Sequence, residues 1–223
     1  AFTFSSLSIA FTTMTGTSSH ALLATGFDGG SALAVSDATL SSSTQAAVLV
    51  QSWIAAGASA DFTDCTMTSA ADHGIHFSLL TGSVVSMTNV AASATGASGS
   101  GVYIFTVSAS SAFTLTKVYA TSANGKGMSA DDVSDSTIAI GGTSTITGAS
   151  MGLYATGFTF SPLNVAFTAV NGGSGQGVAA FSFDGSSSLA LSDAVVGSTS
   201  GQGAVVKNWA AAGGTAAFTD CVI

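Results

Sequence analysis

The sequence contains no glutamate, no arginine and a single proline, and charged residues make up only 6% of its 223 positions. An average soluble domain carries about 25%. All 11 acids are Asp and all three bases are Lys. Amphipathic helices draw their solvated faces from Ala, Leu, Glu, Lys, Arg and Gln, so a chain without Glu or Arg, crowded with Ser, Thr, Gly and Ala, has little from which to build them. An all-β fold is expected. The net charge of −8 and the missing Arg leave no electrostatic footprint for phosphate, which excludes nucleic acid as a partner. Hydrophobic residues reach 47%, yet they are scattered, and no run approaches the roughly 18 apolar residues of a membrane helix. No membrane span is expected. Gly29-Gly30 and Gly172-Gly173 lack the following Lys-Ser or Lys-Thr of a P-loop, and no Asn-x-Ser/Thr sequon occurs.

What is present is repetition. A shift of 156 positions lays residues 1–67 on 157–223 without a gap, with roughly half of the pairs identical, the kind of self-match that marks a tandem duplication. Phe27-Asp28-Gly29 meets Phe183-Asp184-Gly185, Trp53 meets Trp209, and Phe62-Thr63-Asp64-Cys65 meets Phe218-Thr219-Asp220-Cys221. Inside this lies a shorter period of 25 to 27 residues, anchored on Ala21, Ala47, Gly74, Gly101, Gly127, Gly152, Gly177 and Gly203. Six such coils make one 156-residue repeat, and residues 1–223 read as one continuous stack. Phe2 and Phe218 both lie in strand-like pattern, so the stack is expected to continue beyond both ends.

Columns through the coils set the expected orientation. Six places after the anchor stand Phe27, Trp53, Leu80, Val107, Val133, Phe158, Phe183 and Trp209, apolar at every level and expected to form a stack in the core. A further column, Val35, Phe62, Met87, Leu115, Ile140, Phe167, Leu191 and Phe218, precedes a mostly polar corner of Asp37, Asp64, Asn89, Lys117, Gly142, Ala169, Asp193 and Asp220. Short period-2 strands separated by polar corners, recurring once per coil, are what a parallel β-helix needs to stack like on like. The pattern resembles the right-handed parallel β-helix proteins, the pectin-lyase-like solenoids and adhesin passengers. A Greek-key sandwich is the competing fold.

Chemistry is sparse. The resemblance implies a pectate-lyase type of enzyme using an Arg base with Asp-bound calcium, and this chain has no Arg. Asp131, Asp132 and Asp135 near Lys126 form the best carboxylate cluster for acid–base hydrolysis, against the reading of a solvated corner. Asp72, His73 and His76 suggest a metal or base–orienter pair, against the reading of ordinary surface histidines. Cys65 and Cys221, six coils apart, stand too far from each other for a disulfide. No cofactor is expected. The corner acids Asp37, Asp64, Asp193 and Asp220, with Asn89, would bring like charges together unless backbone N–H groups cap them or calcium bridges them. Backbone caps are the expectation, calcium the alternative.

The outward columns carry Leu23, Leu49, Tyr103, Tyr154 and Val205, with Phe105 and Phe181 two places further on, a patch suited to lateral packing of copies. The expected function is therefore a non-catalytic structural segment of a long repetitive extracellular or cell-surface protein: a rod, filament or adhesin stalk meeting copies of itself end to end and side by side. The alternative is a surface-binding module, for glycans through Tyr103, Phe105 and Tyr154, or for ice through a flat threonine array. Thr143, Thr145 and Thr147 hint at one coil of such an array, but Ala169 and Val170 lie where the next threonines would be needed. A polysaccharide-degrading enzyme is the least favoured class.

Overall fold

A computed structural model describes residues 2–3, 5–54, 56–208 and 214–223. Trp209, expected in the core stack, lies outside them. Every described element is a strand and every pairing is parallel, so the chain is a parallel β-solenoid of about eight turns. Three faces enclose one apolar core. Face 1 is a separate eight-stranded sheet running from Leu22–Thr25 through Ile75–Thr81 and Lys126–Ser134 to Ala204–Lys207. Face 2 runs from Ser6–Ala10 to Thr215–Thr219, and face 3 from Thr13–Gly16 to Val195–Ser198. Faces 2 and 3 belong to one 15-stranded sheet, because Val84–Ala94 and Ala112–Ser122 run unbroken round the corner between them.

Left-handed residues shape the cross-section. Five places after each face 1 anchor stand Gly26, Ser52, Leu79, Thr106, Asp132, Gly157, Ser182 and Asn208, all with φ between 52° and 70°. This single left-handed step breaks the in–out alternation of the strand, so that places one, three and six all point inward. It explains why Phe27, Trp53, Leu80, Val107, Val133, Phe158 and Phe183 form one buried column. Phe27 stacks on Trp53 with ring centroids 4.6 Å apart, and Phe158 on Phe183 at 4.6 Å and 1°.

A second left-handed column turns face 2 into face 3: Phe11, Asp37, Asp64, Asn89, Lys117, Thr143, Phe167, Asp193 and Asp220. At this corner the register differs from the expected one. Ile140 pairs with Val165, which pairs with Leu191, so Val165 takes the core position expected for Phe167. Phe167 takes the corner expected for Ala169 and stands 60% exposed. Its apolar ring suggested burial, whereas the register is set by the shorter coil.

Buried serines line a third corner, a feature the sequence reading missed. The backbone N–H of Ser83 donates to Ser111 Oγ at 3.0 Å, Ser111 to Ser136 at 3.2 Å, Ser136 to Ser161 at 3.1 Å and Ser161 to Ser187 at 3.0 Å. Each of Ser111, Ser136 and Ser161 also donates its own hydroxyl to a carbonyl two or three residues back at 2.8 Å. The ladder satisfies backbone donors that a strand turning a buried corner would otherwise leave unpaired.

Candidate functional site

In a chain this poor in charge, one place gathers titratable groups. The residue just before the face 1 anchor is His20, Ala46, His73, Ser100 and Lys126 in successive coils. Stacking therefore sets His73, Ser100 and Lys126 in one row at the edge of face 1. Beside that row run the outward columns, where His76 pairs in register with Tyr103 and Tyr103 with Ser129, while Phe105 pairs with Asp131. Asp72, His73, Ser98, Ser100, Tyr103, Lys126, Ser129 and Asp131 line a polar cleft of about 210 Å³.

The hydrogen bonds define the state of each group. The Ser100 N–H donates to His73 Nδ1 at 2.9 Å, and His73 Nε2 lies 3.2 Å from Asp72 Oδ1. A neutral His73 is thereby held as the Nε2–H tautomer, with both ring nitrogens engaged. Burial pushes its pKa below the ordinary histidine value, against the pull of Asp72. The same cause takes His76 down to about 4, with His73 adding repulsion. The rings of His73 and His76 lie 4.4 and 4.8 Å from that of Tyr103, which stacks on Phe105 at 5.9 Å. Burial pushes the Tyr103 hydroxyl upward, with Asp131 reinforcing the shift. Burial also raises Asp131 and lowers Lys126. Lys126 Nζ sits 3.5 Å from the Tyr154 ring centroid and donates to Ser129 Oγ at 3.4 Å, and Ser129 donates to Asp131 Oδ2 at 3.3 Å.

Comparison with family models, curated proteins and solved structures finds no match for this chain.

Two clusters that the sequence reading kept apart, Asp72-His73-His76 and Asp131 with Lys126, meet in this cleft. Asp132 and Asp135 do not join them: both are exposed, Asp132 at the left-handed step and Asp135 at the serine corner. The carboxylate trio is thus dispersed. Among the described residues, no group of three or more His, Cys, Asp or Glu is arranged to hold a metal ion. The cleft is a hydrogen-bonding surface, rich in both donors and acceptors, with the Tyr103 ring in its lining.

The lateral patch is more closed than expected. Leu23 is 51% exposed, whereas Leu49, Tyr103, Phe105, Tyr154 and Phe181 are half-buried by their neighbours. Tyr154 and Phe181 meet at 5.8 Å, with Ala179 fully covered beside them, and Val205 next along the column is only 7% exposed. Val205 therefore offers no contact surface. The most exposed rings stand at corners instead, Phe11 at 85% and Phe167 at 60%.

On the polar corner, Asp37, Asp64, Asn89, Asp193 and Asp220 are all exposed and all left-handed. Backbone caps on the carboxylates were expected. Among the described residues, the cap on this column is a side chain: Asn89 Nδ2 donates to Asp64 Oδ1 at 2.5 Å. The backbone N–H groups of Asp37, Asp64 and Asp193 donate along the stack, to Thr63, Thr88 and Thr219 carbonyls at 3.0 Å. Asp and Asn suit the corner because they tolerate the left-handed region better than other side chains. Cys65 is buried and Cys221 half-buried, both free. Cys65 Sγ points at the Val35 and Thr63 carbonyls.

Face 3 holds a surface that the sequence reading cut short. Its outward positions form two columns in register. One is Thr13, Thr39, Thr66, Ala91, Tyr119, Thr145, Ala169 and Val195; the other is Thr15, Ser41, Thr68, Ser93, Thr121, Thr147, Asn171 and Gly197. Ala169 and Asn171 do follow Thr145 and Thr147, but the hydroxyls continue in the opposite direction, toward the first coils. Thr143 lies at the left-handed corner with φ 63° and is not part of the array. Val170 points inward and is buried.

Proposed function

We propose that this chain is a non-catalytic structural segment, a stiff β-solenoid rod of an extracellular or cell-surface protein that assembles with copies of itself. The observation that carries this reading is the unbroken register: on all three faces, coil after coil pairs with the same partners, so the cross-section stays constant along the axis. A parallel stack also has no stopping point in its backbone, since each coil offers one unpaired edge to the next. The state of the histidines favours the absence of catalysis. His73 has both ring nitrogens engaged, and Asp132 and Asp135 are exposed and do not line the cleft with Asp131. Negative-stain electron microscopy with sedimentation at micromolar concentration tests the assembly. Rods of uniform width that lengthen with concentration are expected; a monodisperse monomer refutes it.

A second reading, a glycan-binding module, is favoured by the cleft, whose lining sets the half-buried Tyr103 ring beside donors and acceptors. Sugars are held by that combination of stacking and hydrogen bonding. Titration with oligosaccharides, repeated with Tyr103→Ala, separates it from the rod.

A further inference from the structure

The two hydroxyl columns of face 3 have a geometry that the rod does not require. Strands of neighbouring coils lie about 4.8 Å apart and alternate residues along a strand about 6.6 Å apart. Thr13, Thr15, Thr39, Ser41, Thr66 and Thr68 therefore mark out a complete two-column lattice of hydroxyls over three consecutive coils. Ser93, Thr121 and Thr147 extend one column over the next three. The lattice narrows at Ala91 and Tyr119, the latter 44% exposed, so the complete patch is the first three coils.

Three further properties distinguish this surface. No outward position of face 3 is charged in any of its eight strands, and the charges nearest the complete grid are Asp37 and Asp64 at the corner beside it. The side chains are rigid: threonine is stiff at χ1, and hydroxyls bond along the columns, with Thr15 Oγ1 and Ser41 Oγ 3.2 Å apart and Ser93 Oγ donating to Thr68 Oγ1 at 3.2 Å. The backbone beneath is held by parallel ladders on both sides. A rigid grid of hydroxyls, with methyl groups beside those of its threonines, anchors water at fixed positions while leaving the spaces between to be filled by water bonded to water.

From this geometry we infer that face 3 binds ice. The coil-to-coil spacing of about 4.8 Å lies close to a repeat of oxygen rows on the prism face of ice, so water held along each column is spaced as in an ice layer. The same match gives no advantage to a protein partner, whose side chains carry no such lattice. A glycan chain is disfavoured by the absence of ring faces and charged donors in the patch.

The test uses the whole 223-residue chain, fluorescently labelled at its amino terminus, with polycrystalline ice grown slowly from dilute solution. Wild type is expected to be taken into the ice at least tenfold more than serum albumin and to open a gap between melting and freezing points in nanolitre osmometry. Thr39→Tyr, which puts a ring in the centre of the grid, and Thr66→Lys, which adds a charge, should each reduce uptake at least tenfold. Ala34→Tyr, exposed on face 2 of the same coil as Thr39, should leave it unchanged. Circular dichroism confirms folding, and either grid variant alone suffices if the other does not fold. Exclusion of wild type from ice, undiminished uptake of a folded grid variant, or equal loss in Ala34→Tyr would each overturn the assignment.

Discussion

Phe11 and Phe167 occupy a backbone position that suits neither of them, and replacing them separates strain from packing. Both lie in the left-handed region, with φ 48°, where an ordinary L-residue loses about 1–2 kcal/mol and Asn or Asp much less. Against that gain stands the burial that each ring would lose. Full burial of a Phe side chain contributes about 1.5–3 kcal/mol. Phe11, 85% exposed, keeps only a few tenths of this, while Phe167, 60% exposed, keeps about 1 kcal/mol by the same scale. Phe11→Asn should therefore stabilise the protein by about 0.5–1 kcal/mol, and Phe167→Asn should be close to neutral. Urea denaturation followed by tyrosine and tryptophan fluorescence measures both, with an unchanged slope showing that the unfolded state is unaffected. If Phe11→Asn destabilises by 1 kcal/mol or more, the ring is packed against something and the strain argument fails.

Other perturbations probe the interior and the charges. Trp53→Ala, which empties a fully buried position stacked on Phe27, should cost about 3–5 kcal/mol by denaturant titration. Ser136→Ala removes the acceptor of the Ser111 N–H and should cost about 1–3 kcal/mol, with faster amide exchange at Ser111 as the local signature. His76 has its pKa depressed to about 4 in the fold, against about 6.5 in the unfolded chain. Its contribution to stability is therefore full above about pH 6.5 and is lost as pH falls toward 4. Melting temperature should drop over that window in wild type, and by less in His76→Phe. EDTA should leave the melting temperature unchanged, because the Asp64 carboxylate is capped by Asn89; a calcium-dependent rise would show that the corner acids hold a cation.

The coil length and the inward column beginning at Phe27 were legible because the core tolerates no polar side chain there, so chemistry repeats wherever position repeats. The corners were not legible in the same way. Phe11, Asp37, Asn89, Lys117 and Phe167 share one backbone state but no common side-chain character, because a corner residue faces water and only its φ is constrained. That is why Phe167 was drawn into the core column in place of Val165. The serine ladder of Ser111, Ser136, Ser161 and Ser187 was hidden by composition, since serine is abundant at exposed positions too. The cleft could have been found by following the column before the anchors, where His73, Ser100 and Lys126 stand in consecutive coils. Its groups come from different coils, and only stacking brings them together.

The same separation of roles bears on how one scaffold carries several surfaces. Stacking is secured from inside, by parallel ladders, ring stacks such as Phe158 on Phe183 and the buried serines. Exposed outward positions on the faces are then free of structural duty, unlike covered ones such as Ala179 and Val205, and each face can carry its own chemistry at its own level: the polar cleft on face 1 around Tyr103, the hydroxyl grid on face 3 around Thr39. Substitutions at exposed outward positions should accordingly stay within about 0.5 kcal/mol of wild-type stability, while substitutions in the inward columns should not. A solenoid built this way can alter one surface without disturbing another, because the two share only a core that neither touches.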